Sequence, residues 1–214
     1  MFVSNRGSSP LPYYTIGIML STNALKIIDM IVSAPSELAT AGATWYSDAH
    51  SLVTEWSRLY GYSVSQCAGV LAVLSPQQTW ASNQRNAIST IVAHKRGETV
   101  TQQITGQTQA QSSKALQILD GYDVVAVCRG SVPKSGHKVW SFYQNILQPD
   151  TSLAVTVDRD AISIWATPET AFKCITPKRY AMVQADYQDA ADTLGMLPHQ
   201  AQAISWCVYR GSAV

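Results

Sequence analysis

The chain has 214 residues, enough for one large domain or two small lobes that bury most of their apolar surface. Charged residues make up only 14% and the net charge is +1, which excludes a broad basic face that tracks a long nucleic acid. A small footprint with a few phosphate contacts is compatible with this balance. The most apolar stretch, Tyr13 to Val32, carries Lys26 and Asp29, whereas a spanning helix needs roughly 20 nearly uncharged residues. A buried helix is expected there, with no membrane partner. No basic n-region opens the chain and no small-residue cleavage site follows the apolar run, so a cytoplasmic location is expected. Cys67, Cys128, Cys174 and Cys207 are widely separated, a spacing that fits neither a zinc site nor an iron–sulfur cluster. Reduced structural thiols are expected instead. His50, His94 and His199 stand apart from any metal-ligand pattern, so no cofactor is expected.

In chain order, the first dozen residues read as a loose arm rich in Ser, Pro and Gly. Ser36 to Tyr60 repeats apolar residues at helical intervals and stops at Gly61. Ser63 caps a buried helix, Val64 to Leu74, ended by Ser75-Pro76. The next helix runs from Trp80 to about Arg96. A Thr- and Gln-rich loop, Glu98 to Thr108, reads as a lobe boundary. Ala110 to Leu119 is helical, and Val124 to Cys128 is too short to classify. Lys138 to Leu147 is a helix opened by a turn over residues 131–137, and Val155 to Ala166 begins strand-like and continues as helix. Tyr180 to Leu194 and His199 to Tyr209 close the chain. The class is all-α. The expected organisation is one helical domain over 1–214, with lobes at 30–125 and at 1–29 plus 126–214, the second carrying a hairpin at 131–147.

Two segments carry chemistry. In Val132-Pro133-Lys134-Ser135-Gly136-His137-Lys138, Gly136 is free to take positive φ. The amides of Ser135 to Lys138 then face outward at the positive end of a helix dipole, a phosphate-binding arrangement. Lys134, His137 and Lys138 add side-chain donors. Twenty residues after Lys138, the run Val155-Thr156-Val157 delivers Asp158 to a helix start, where backbone N–H groups favour a carboxylate. Singly, each segment reads equally as an ordinary turn and an ordinary cap.

Together they resemble the helix-hairpin-helix DNA glycosylase superfamily, with its hairpin L-P-G-V-G-x-K and later V-D-x-H. The resemblance puts Lys138 at that family's Schiff-base lysine and Asp158 at its essential aspartate. Val73-Leu74-Ser75-Pro76-Gln77-Gln78-Thr79 is similar to the family's L-L-S-x-Q-x-T, whose Gln enters the gap left by a flipped nucleotide. Ser113-Lys114-Ala115-Leu116-Gln117-Ile118 is similar to its S-K-A-x-x-I helix start. The four matches occur in the family's order across residues 73–161. Lys134 stands where the first hairpin Gly belongs, and Asp160 where the His of V-D-x-H belongs. With no four-cysteine loop, the resemblance implies a branch without an iron–sulfur cluster. Trp45-Tyr46, Trp80 with Asn83, Phe142-Tyr143 with Asn145, and Gln202 with Trp206 and Arg210 resemble instead small phage-encoded proteins of glycosylase-like fold. Some of those are assigned to thymine hypermodification in DNA, which would place this chain in a host cytoplasm.

The resemblance implies a two-lobed bundle that acts on double-stranded DNA with an extruded nucleotide. The hairpin residues Lys134, Ser135, Gly136 and His137 would grip phosphates while Gln77 props the duplex. Trp80, Asn83, Trp140, Tyr143, Asn145 and Arg159 are the candidate base-pocket residues. Asp158 would stabilise charge on the sugar, and Lys138 would attack the anomeric carbon as a free amine. Two other readings stand beside base excision. One is a transferase that places an amino acid or polyamine on pyrophosphorylated 5-hydroxymethyl-uracil, with Lys138 neutralising pyrophosphate and Asp158 deprotonating the amine. The other is a DNA-binding module that keeps the hairpin without catalysis.

Overall fold

The computed structural model describes residues 19–130, 136–171 and 175–212. The N-terminal arm, most of the hairpin turn with Lys134 and Ser135, and Cys174 lie outside the described residues. Within them the chain is all-helical and has no strand. Local capping sets many of the helix starts. Ser21 accepts the Ala24 amide ahead of α1 (Thr22–Val32), and Gly61 at φ 76° ends α2 (Ser36–Tyr60). Ser63 and Gln66 form a reciprocal capping box at α3 (Val64–Val73), and Thr79 caps α4 (Trp80–Lys95). Among the described residues no helix is long and apolar enough to cross a membrane.

The segment expected to be a boundary loop is folded back onto α4. It holds the short helix α5 (Gln102–Thr105), and Gln107 donates from Nε2 to the Leu74 and Pro76 carbonyls at 2.9 and 3.0 Å. A second capping box, from Thr108 and Gln111, starts α6 (Gln109–Leu119). The run left unclassified is helix α7 (Val124–Arg129), nucleated by Asp123, which accepts the Val125 amide at 2.9 Å. Next come α8 (Gly136–Leu147), α9 (Arg159–Trp165), α10 (Pro177–Leu194) and α11 (Pro198–Arg210). Before α9 the chain forms no strand, and the Val157 amide donates back to the Val155 carbonyl at 3.0 Å, so the strand-like expectation for Val155 to Val157 is corrected to a tight turn about Thr156.

Two apolar cores organise these helices. The first joins α2, α3, α4, α6, α7 and α8 around Leu71, Ile91, Ile118 and Ile146. The second joins α1, α9, α10 and α11 around Ile27, Ile164, Trp165 and Tyr187. Each such side chain contributes about 1.5–3 kcal/mol when fully buried. Helix α8 packs on α3 and α7 and belongs with the first core. Between the cores α2 lies along α11, where a Cβ at Gly42 would overlap the Ile204 backbone. Ala203 faces the first core while Ala201 and Ile204 face the second, so α11 forms the seam.

Candidate functional site

A cleft opens beside that seam. Its outer part has a volume of about 1070 Å³, and an inner pocket of about 100 Å³ shares Gln78, Thr79, Trp80, Lys138, Asp158 and Trp206 with it. Lys138 stands in the first turn of α8 and Asp158 is the N-cap of α9. The Asp158 Oδ1 accepts the Ala161 amide at 2.9 Å, while Oδ2 lies 4.0 Å from Lys138 Nζ. Both side chains remain partly open to solvent, at 33% for Lys138 and 27% for Asp158. The two groups singled out from the sequence therefore face one another where the outer cleft narrows.

Buried hydroxyls fix the segment that delivers Asp158. Tyr180 on α10 donates to the Val155 carbonyl at 2.7 Å, accepts the Val157 amide at 3.2 Å and meets Ser141 Oγ at 3.0 Å. Burial pushes the Tyr180 phenol above its ordinary pKa, so it remains a donor at neutral pH. Thr156, between these two clamped residues, accepts from Tyr46 at 2.9 Å and from Asn145 Nδ2 at 3.2 Å. Tyr46 also lies 3.1 Å from Gln202 Oε1, and burial raises its pKa strongly. Thr156, Tyr46 and Gln202 all line the inner pocket.

Aromatic rings make up the pocket's apolar walls. Trp45 lies 4.6 Å from Trp80, 5.9 Å from Phe142 and 6.2 Å from Trp206, measured between ring centroids. Asp160, the residue in place of the family's histidine, is buried. One of its oxygens accepts from Trp206 Nε1 at 3.2 Å and from Arg210 Nε at 2.9 Å. This carboxylate orients two residues of the cleft wall, and its hydrogen bond holds the Arg210 guanidinium above its usual pKa. Arg210 is thus ion-paired, as a helix-end salt bridge, while about half of its side chain stays exposed.

Of the residues predicted to form the site, Gln77, Trp80, Asn83, His137, Lys138, Asp158 and Arg159 line the inner pocket or the outer cleft. Gln77 sits on the rim with φ 62°, the sole non-glycine residue at positive φ among the described residues. The His137 ring lies tilted against Tyr180 at 5.1 Å, and its Nε2 is buried without a partner among the described residues. Gly136 is the first residue of α8, so its expected left-handed turn geometry is corrected to helical. Trp140, Tyr143 and Asn145 do not line the pocket. Trp140 stacks on Tyr143 at 5.6 Å beneath the Arg129 guanidinium, and Tyr143 is buried against Ser65 at 2.8 Å. Asn145 stands behind the pocket, accepting from Ser152 and donating to Thr156. Ser113 and Lys114 lie in the body of α6, away from the cleft.

Thr156 and Gln78 line the pocket beyond the expected set, and Trp45, Tyr46, Gln202 and Trp206 join them there. Gln202, Trp206 and Arg210 are spaced by four residues, one face of α11, and that periodicity was the available signal. Among the described residues no group of three or more His, Cys, Asp or Glu side chains is placed to hold a metal ion. No curated protein and no solved structure matches the chain. A match over residues 13–213 shows that the chain belongs to the family of unknown function DUF7178.

Proposed function

We propose that the protein is a DNA base-processing enzyme of the helix-hairpin-helix glycosylase kind, acting on a nucleotide turned out of the duplex. The observation that carries this reading is the 4.0 Å approach of Lys138 and Asp158 at the point where the outer cleft meets the aromatic pocket. The outer cleft is wide enough for a backbone segment, and the inner pocket suits a single ring. Turning a base out costs a few kcal/mol, which stacking in the pocket and phosphate contacts at the rim offset. The carboxylate of Asp158 stabilises positive charge on the sugar as the C1′–N bond breaks and its electron pair leaves with the base. Water then adds to C1′ and gives its proton to Asp158. A lyase route has the Lys138 amine form the new bond to C1′ instead. It requires the free amine and hence separation of the Lys138–Asp158 pair when substrate arrives. Such an enzyme works in the cytoplasm, with duplex DNA as its partner.

The test is incubation with duplex DNA carrying damaged or modified bases, with and without borohydride. Base release without an adduct marks the hydrolytic route, and an adduct mapped to Lys138 marks the lyase route. Absence of both across unmodified and modified duplexes defeats the proposal.

A second reading is favoured by one observation: Trp45, Tyr46, Trp80, Asn83, Gln202 and Trp206 converge on the same pocket. These residues carry the likeness to thymine-hypermodifying proteins. In that reaction an amine nitrogen attacks the 5-methylene carbon of the base, and the carbon–oxygen bond to pyrophosphate breaks. Asp158 takes the amine proton and Lys138 neutralises the departing pyrophosphate. Turnover confined to pyrophosphorylated 5-hydroxymethyl-uracil DNA selects this reading over excision.

A further inference from the structure

Asn83 on α4 lines the inner pocket, is only 2% exposed, and has an Oδ1 with no hydrogen-bond partner among the described residues. Native structures leave few buried carbonyl oxygens in that state, because the desolvation of the acceptor goes uncompensated. The residue borders a space with a definite size and wall chemistry. A cavity of about 150 Å³ holds a benzene ring in a protein interior. The inner pocket, at about 100 Å³ and open onto the cleft, is nearer in size to one six-membered ring than to a fused pair. Trp45, Trp80 and Trp206 supply flat apolar surface for such a ring. Beside Oδ1, the amide nitrogen of Asn83 supplies a donor. Thr156 Oγ1, which meets Tyr46 Oη and Asn145 Nδ2, adds a hydroxyl to the same wall.

We infer that the inner pocket is a reading site for a single pyrimidine base, with Asn83 as the residue that determines specificity at the base edge. The inference deepens the proposed base-processing function and rests on it for the base's arrival from DNA. Uracil and thymine place N3–H beside a carbonyl, and cytosine places an exocyclic N–H beside ring N3. Either edge satisfies the orphaned oxygen and the neighbouring amide nitrogen together. Purines carry comparable edges on a larger, fused ring that matches the small inner pocket less well.

Saturation-transfer NMR with 1-methyluracil, 1-methylcytosine and 9-methyladenine tests this on the full chain, without needing any reaction. Both pyrimidines are expected to bind saturably, with 9-methyladenine at least about tenfold weaker. Asn83→Leu, which fills the same volume without either hydrogen-bonding atom, should weaken pyrimidine binding about tenfold or more. Its melting temperature should hold or rise, since a buried polar group is removed. Asn83→Asp keeps the acceptor and loses the donor, and should shift preference toward 1-methylcytosine, whose exocyclic amine a carboxylate accepts. Equal purine binding, no saturable binding of any base, or unchanged selectivity in both variants overturns the inference. A parallel titration with a duplex carrying an extrahelical pyrimidine separates the sources. Binding of free pyrimidines without duplex binding upholds the pocket assignment and removes DNA as the substrate. Duplex binding that ignores base identity overturns the pocket assignment and leaves the DNA reading standing.

Discussion

One oxygen of Asp158 faces Lys138 Nζ at 4.0 Å while the other accepts the Ala161 amide at 2.9 Å, so a single carboxylate closes a helix and borders the cleft. The two roles separate by substitution, because Asn caps a helix about as well as Asp. Asp158→Asn is expected to keep its thermal stability to within about 0.5 kcal/mol. Its rate of base processing should fall at least about 100-fold. Asp158→Ala should lose activity and about 1 kcal/mol of stability together. Calorimetric melting beside a product assay reads both effects. A fully active Asn variant removes the carboxylate from the chemistry.

The Tyr180 hydroxyl grips the backbone on both sides of Thr156 and so sets where the Asp158 carboxylate points. Tyr180→Phe removes the hydroxyl that binds both groups, while the Val157 amide keeps its 3.0 Å bond to the Val155 carbonyl, and should cost about 0.5–1.5 kcal/mol in urea unfolding. If the clamp positions Asp158, the residual folded protein will also turn over more slowly, with a lower kcat at unchanged KM. A loss of stability with unchanged kcat would confine Tyr180 to the fold.

Much of this was legible because it is local. Ser63, Thr79 and Gly61 announce helix ends by chemistry confined to a few residues, and the helices begin and stop where those residues say. Asp158 was legible for the same reason, as a cap at the end of an apolar run. The pocket itself is assembled from α2, α4, α8 and α11, and no short-range pattern joins Trp45 to Asn83 or to Trp206. Trp140 and Tyr143 show how residue type misleads. Lys138 and Phe142, four apart, share the pocket face of α8, whereas positions two and five residues beyond Lys138 turn toward α3 and α7. Gly136 was read as a turn glycine because the helix start was placed two residues late.

His199 is a second buried polar residue with a measurable consequence. Its Nε2 donates to the Pro149 carbonyl at 2.9 Å, and its Nδ1 is buried without a partner. Burial lowers its pKa below the ordinary value, against the opposing pull of the Pro149 bond and Asp150. The folded protein therefore favours the neutral ring, and the unfolded chain takes up the proton first. The stability this supplies is complete above about pH 6.5 and is lost as pH falls through the unfolded-chain value toward the lower folded one. His199→Asn retains a donor for Pro149 and does not titrate. The stability gap between wild type and variant should be widest at pH 8 and shrink by pH 5. A gap that stays constant with pH contradicts the neutral assignment.

The seam between the cores depends on Gly42, whose position a Cβ could occupy only by pushing into the Ile204 backbone. In an unconstrained helix, Gly→Ala stabilises by about 1 kcal/mol. Gly42→Ala should instead lower stability by about 1–3 kcal/mol, because the atom in the way is backbone and α11 has to shift. Thermal melting gives the sign directly. Since Gln202, Ala203 and Trp206 ride on α11 and line the pocket, the same variant should weaken ligand binding. A stabilised Ala variant would show that the two helices separate readily.

At the rim, Gln77 pairs an unfavourable backbone with an exposed side chain. A non-glycine residue at φ 62° carries a cost of about 1–2 kcal/mol, and Gln107 holds the turn by donating to carbonyls on either side of it. Gln77→Gly removes that strain but adds chain entropy to the unfolded state, so stability should hold or rise by up to about 1 kcal/mol. If the side chain fills the gap left by a turned-out nucleotide, the same substitution should weaken binding to a duplex with an extrahelical base about tenfold. It should leave free-base binding in the inner pocket untouched. Gln107→Leu should do the reverse, keeping the Gln77 side chain while removing the donor to the Leu74 and Pro76 carbonyls and costing about 1 kcal/mol. A Gly variant that binds duplex as tightly as wild type would mean the strained turn serves the packing of α3 against α4, not the substrate.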